Sequence, residues 1–132
     1  MNKTRLAAVA KYIRESGKRK HRPHFDMERF CHDGCGTSGC IAGMAVALYD
    51  KKLWEDELAY VASTTYSFRY AQISIMASAQ KILGLSSRQA EELFYPSRVM
   101  YERVTPDIAA GVIEKFIKTG RVIWPEEVKE AA

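Results

Sequence analysis

Three stretches of the chain repeat apolar residues at the spacing of a helix face, and each is closed by a glycine. Leu6, Val9, Ala10 and Ile13 fall at i, i+3, i+4 and i+7, with Gly17 beyond them. Met76, Ala79, Ile82 and Leu83 form a second face, on a helix running from about Ala71 to Leu83 and stopped by Gly84. Ile108, Val112, Ile113, Phe116 and Ile117 form a third, stopped by Gly120. Its start is marked just as clearly. Thr105 is a hydroxyl N-cap, Pro106 suits the first helical position, and Asp107 answers the positive end of the helix dipole. A face of this kind must be buried against another, so a helix-on-helix core is required.

Shorter elements join these three. Ser86-Ser87-Arg88-Gln89 reads as a capping box opening a helix that runs to about Phe94 and ends before Pro96. A helix from Thr37 or Ser38 would bury Ile41, Met44, Ala45 and Leu48 and end at Asp50-Lys51-Lys52. Trp54, Leu58 and Val61 suggest one more short helix. Alternation of aromatic and polar residues over Thr64–Tyr70, and the β-prone Arg121–Trp124 ended by Pro125, leave room for a minor β element. The expected fold is therefore mainly α: a single compact domain of about five helices over residues 1–132, with a frayed tail from about residue 126.

Composition limits the compartment and the class. With 47% apolar and 27% charged residues, neither a disordered nor a collagen-like chain fits. No apolar run approaches the ~18 residues of a membrane span, and Lys11 and Arg14 interrupt what would be a secretory core near the N-terminus. Three cysteines, an odd number, argue against a disulfide framework and for a reducing cytoplasm.

Charge and cysteine both concentrate near the N-terminus. Residues 1–22 hold eight Lys and Arg against Glu15 alone, a net +7 within a chain of net +4. The cluster Lys18, Arg19, Lys20, His21 and Arg22 attracts phosphates, or simply forms a solvated loop beyond a helix. All three cysteines lie in CHDGCGTSGC, residues 31–40. A Gly-rich loop entering a helix offers unpaired amides to an anion. Gly36, Thr37, Ser38, Gly39 and Cys40, completed by Lys18, Arg19, Lys20 and Arg22, are thus the candidate binding residues for an anionic, nucleotide-like ligand. The segment is neither a phosphate-binding P-loop nor a dinucleotide fingerprint.

Two chemical alternatives use the same loop. At a helix start the Cys40 thiolate would be stabilised and its pKa lowered. The Cys-Gly and helix-opening Cys are similar to the nucleophile segment of papain-like proteases, although the spacing is stretched and no histidine lies downstream. In a thiol hydrolase or transferase, Cys40 would be nucleophile and His32, His21 or His24 the base. Zinc could be held by Cys31, His32, Cys35 and Cys40 with His21 and His24 nearby, at spacings unlike a standard knuckle, so no metal site is assigned. Against all of these stands a buried Cys40 acting as a small hydrophobe beside Gly39, Ala42 and Gly43. Tyr60, Tyr66, Phe68 and Tyr70 with Arg69 could stack on a base or fill a core. Tyr95, Arg98, Tyr101 and Arg103 form a polar-aromatic loop open to the same two readings.

Phe25-Asp26-Met27, the C-G-T-x-x-C-x-x-G segment from Cys35 to Gly43, the run Leu83–Phe94 and the segment Thr105–Ala110 together resemble a group of small, uncharacterised proteins of tailed phages and their bacterial hosts. The resemblance covers roughly residues 25–45, 82–94 and 105–124. It implies a phage or prophage accessory protein of the host cytoplasm that acts by binding host components or small signals, and it carries no activity or site residues. Binding therefore ranks ahead of catalysis. A pure protein-interaction module, nucleic acid as a less favoured partner and a homo-oligomer all remain open, and no membrane partner is expected.

Overall fold

The structure, a computed structural model, describes residues 1–18, 24–27, 38–56 and 68–131. It is mainly helical, as the periodicity requires. In chain order come α1 (Lys3–Arg14), β1 (His24–Phe25), β2 (Ser38–Gly39) and α2 (Ile41–Tyr49). They are followed by α3 (helical over 51–56), α4 (Phe68–Leu83), α5 (Ser87–Phe94) and α6 (Pro106–Thr119). Single 3-10 turns cover Ser16–Lys18, Tyr101–Arg103 and Glu126–Val128.

The core is built from two main contacts, α1 against α6 and α2 against α4. Leu6, Val9, Ala10 and Ile13 of α1 are buried, as are Val112, Ile113 and Phe116 of α6. Arg14 clamps this pair at its edge, donating to both carboxylate oxygens of Glu114 at 2.7 and 2.9 Å. Its Nε lies 3.4 Å from Asp107. The N-terminus docks on the end of α4: Asn2 N donates to Leu83 O at 2.8 Å, and an Arg5 guanidinium N–H donates to Ile82 O at 3.1 Å. These bonds satisfy carbonyls that the helix end would leave unpaired. Gly84 suits the turn that follows α4 through its φ of +63°, a conformation that L side chains rarely adopt; a Cβ there would make only an ordinary contact with Asn2 N.

Helix punctuation follows the sequence closely. Ser86 Oγ accepts from Gln89 N while the Gln89 side chain accepts from Ser86 N, a complete capping box. Thr105 Oγ1 accepts from Ile108 N, and Gly120 ends α6 in the left-handed conformation at φ +73°.

Four expectations are corrected. Ser38 and Gly39 are paired strand residues, so α2 begins at Ile41, and Leu48 faces solvent instead of closing the buried stripe. Phe68–Tyr70 belong to α4, because the helix begins three residues before its expected start at Ala71; residues 64–67 lie outside the described residues. Arg121–Trp124 forms no strand, since Trp124 instead turns inward and its Nε1 donates to Glu92 O at 3.0 Å. The stretch from residue 126 is not loose. Val128 is fully buried, Met100 N donates to Val128 O, and Val99 bridges Lys129. One apolar anchor outweighs the polar composition around it.

Candidate functional site

The residues that follow the basic run pair with those that end the Gly-rich run, through β1 and β2. The strands pair in parallel, His24 opposite Ser38 and Phe25 opposite Gly39. A parallel register aligns the starts of both strands, and the chain enters β1 directly from the basic run and β2 directly from the Gly-rich run. Ser16 holds the other side of the basic run. Its hydroxyl, 2% exposed, accepts from Phe25 N at 2.6 Å and ties the turn after α1 to β1. Sequence reasoning gave Ser16 no role; a serine beside the Gly17 stop was its only signal. Lys18 is exposed at the end of that turn. Gly36, Thr37, Arg19, Lys20 and Arg22 lie outside the described residues, as do His21, His32, Cys31 and Cys35.

Cys40 is the N-cap of α2, with extended backbone and its carbonyl accepting from Met44 N at 2.8 Å. Its side chain is 3% exposed, and Ile41, Ala42, Met44, Ala45 and Val46 behind it are fully buried. The first turn of α2 therefore faces the core. Burial pushes the Cys40 thiol from the ordinary 9.0 up to about 11, against the opposing pull of the Gly43 and Ala42 amides. Asp26 adds to the upward push. The expected lowering of this pKa is overturned: the helix-start amides act as anticipated, but desolvation is the larger effect. As a catalytic nucleophile Cys40 has lost its physical basis, since the thiolate is the reactive form. Its company of Ile41, Ala42 and Met44 is that of a small hydrophobe.

Among the described residues, no group of three His, Cys, Asp or Glu side chains could hold a metal ion, and no helix is long and apolar enough to cross a membrane. The proposed zinc ligands, Cys40 and His24 apart, fall outside the described residues. The same holds for Tyr60 and Tyr66, while Phe68, Arg69 and Tyr70 lie on helix α4.

The polar-aromatic loop after α5 divides in two. Tyr101 turns back, its hydroxyl donating to Pro96 O at 2.8 Å, and burial, then Tyr95 and Cys40, raise its pKa. The loop thus runs close to the start of α2. Arg98 and Arg103 turn outward and line an open cleft with Met100, Glu126, Lys129 and Glu130. Arg98 has φ +59°, a left-handed conformation that costs a residue other than Gly on the order of 1 kcal/mol. Comparison with protein-family models, curated proteins and solved structures gives no match to this chain.

Proposed function

We propose that the chain is a helical, phage-type accessory protein that binds an anionic, nucleotide-like small ligand or a host component at the Gly-rich entry to α2. The observation that supports this reading is the parallel β1–β2 pair. It aligns the points at which the chain leaves its most basic segment and its most glycine-rich one. A concentration of cations beside a Gly-rich turn recognises phosphate through charge and backbone donors. With Cys40 buried, the donors fall to Gly36, Thr37, Ser38 and Gly39 and the charge to Lys18, Arg19, Lys20 and Arg22.

Thermal shift against a panel of nucleotides and second-messenger phosphates tests the reading. A ligand at ~100 times its Kd should stabilise by about 2.7 kcal/mol. That shift should weaken with added salt and disappear when Lys18, Arg19, Lys20 and Arg22 are all changed to Gln. A folded protein with no salt-sensitive shift from any phosphate compound would end it. The thiol-enzyme alternative is tested separately. With the Cys40 pKa near 11, iodoacetamide at pH 7 should label Cys40 roughly a hundred-fold more slowly than an ordinary free thiol.

A further inference from the structure

We infer a second anion site, independent of the Gly-rich entry, in which Arg98 and Arg103 hold a phosphate group in the cleft beside Lys129. Three observations converge on it. First, Arg98 and Arg103 line one cleft, and among the described residues neither guanidinium has a hydrogen-bond or ion-pair partner. An arginine fork is built for bidentate oxyanion contacts, and two unpaired forks in the lining of one cleft offer more donors than one carboxylate can use.

Second, the backbone that carries Arg98 is strained and firmly held. Its φ of +59° suits Gly or Asn far better than Arg. Glu130 N donates to Arg98 O at 2.9 Å, and the Val99–Lys129 bridge and the Met100 N–Val128 O bond fix the next residues. A chain optimised only for stability would place glycine there. The cost is accepted for the side chain.

Third, the charges of the cleft favour an anion, and the two forks favour one with several acceptor oxygens. Lys129 is spent on Glu126, its Nζ 3.0 Å from a carboxylate oxygen. Arg98, Arg103 and Lys129 outnumber Glu126 and Glu130 in the lining, which leaves the cleft net positive. A phosphate group carries charge near −2 and enough acceptor oxygens for both forks, whereas a carboxylate fills only one. Met100 in the same lining offers an apolar contact to the organic part of a phosphate ester.

The test is an NMR titration of the whole chain with inorganic phosphate and with phenyl phosphate, at low ionic strength, reading the arginine Nε–Hε signals. The signals of Arg98 and Arg103 should move together and saturate, with Kd of about 1 mM. Arg103→Gln should weaken binding about tenfold. Arg98→Gly should weaken it equally while holding Tm or raising it by a few degrees, a combination that a purely structural arginine would not give. Tighter binding of phenyl phosphate marks a phosphate ester as the natural ligand, and equal binding marks free phosphate. Three results would overturn the inference: no saturable shift by ~20 mM, unchanged affinity in both variants, or binding lost only when Lys18, Arg19, Lys20 and Arg22 become Gln. The last would assign the phosphate to the Gly-rich entry instead.

Discussion

Two helix starts in this molecule obey the same electrostatics and end with opposite properties. At α6, Thr105 caps from solvent, Pro106 occupies the first turn and Asp107 lies at the positive end of the dipole. At α2, Cys40 caps from inside the core, with fully buried side chains filling the turn that follows. The amides of both first turns favour negative charge. At α6 that preference acts on exposed groups and stabilises. At α2 it acts on a buried thiol, where burial is the stronger effect and keeps the group neutral. A helix N-terminus is therefore an anion site only where it can be reached by water.

Placing aspartate at both caps is the sharpest way to break this comparison. On propensity alone it is among the best N-caps. Thr105→Asp should be neutral or slightly stabilising, within about 1 kcal/mol in urea unfolding. Cys40→Asp should destabilise by roughly 3 kcal/mol or more, because a carboxylate is forced into the core. If Cys40→Asp does not fold, Cys40→Ser carries the test. The serine hydroxyl should be tolerated within about 1 kcal/mol, since amides are at hand to donate to it. Equal effects of aspartate at the two positions would mean that the start of α2 is wet.

Next in size is a loss of stability at alkaline pH that belongs to Cys40. The folded pKa of about 11 stands above the ordinary 9.0, so folding favours the protonated thiol. The stability this provides is fully present below pH 9 and is lost as pH rises through 11. The loss should amount to about 2–3 kcal/mol. The difference between wild type and Cys40→Ala across that window isolates the contribution of Cys40 from lysine and tyrosine titration. A flat difference would show that the thiol is not desolvated.

How much of this was legible in the sequence follows the same division. Exposed punctuation could be read directly: the capping box at Ser86, the cap at Thr105 and the left-handed stops at Gly84 and Gly120 all depend on a few adjacent residues. The helix faces were legible for a related reason, because burial of Leu6, Val9, Ile13, Ile113 and Phe116 imposes their spacing. What failed depended on partners distant in sequence. Ser38 and Gly39 look like a helix entry until His24 and Phe25 pair with them. Residues 126–130 look frayed until Val99 and Met100 bind them. The Cys40 pKa was misjudged because the chain shows which amides lie nearby but not which face of the turn is dry. At the candidate site, the basic and Gly-rich runs were visible as composition, while the parallel pairing of His24 and Phe25 with Ser38 and Gly39 was not.

Thr105→Ala measures the exposed cap by removing it. It should cost about 1 kcal/mol, and the helix should fray only at its first turn, visible as faster exchange of the Ile108 amide. A cost well above that would mean that Thr105 is supporting the core as Cys40 does.

The smallest effect belongs to the exposed clamp between α1 and α6. Arg14 donates to both oxygens of Glu114 and holds its carboxyl below the ordinary 4.5, while Glu114 and Asp107 raise the Arg14 guanidinium in turn. A lowered carboxylate pKa stabilises above 4.5 and loses that contribution as pH falls through the folded value. Both side chains are nearly half exposed, so water and salt screen most of the attraction. Arg14→Ala or Glu114→Gln should therefore cost less than about 1 kcal/mol at neutral pH, and less still at ~1 M salt. The double variant should be no worse than either single one, because the interaction is lost only once. A larger coupling in that cycle would show that the edge of the α1–α6 contact is drier than its exposure indicates, and that the contrast drawn at the two helix starts extends to this pair.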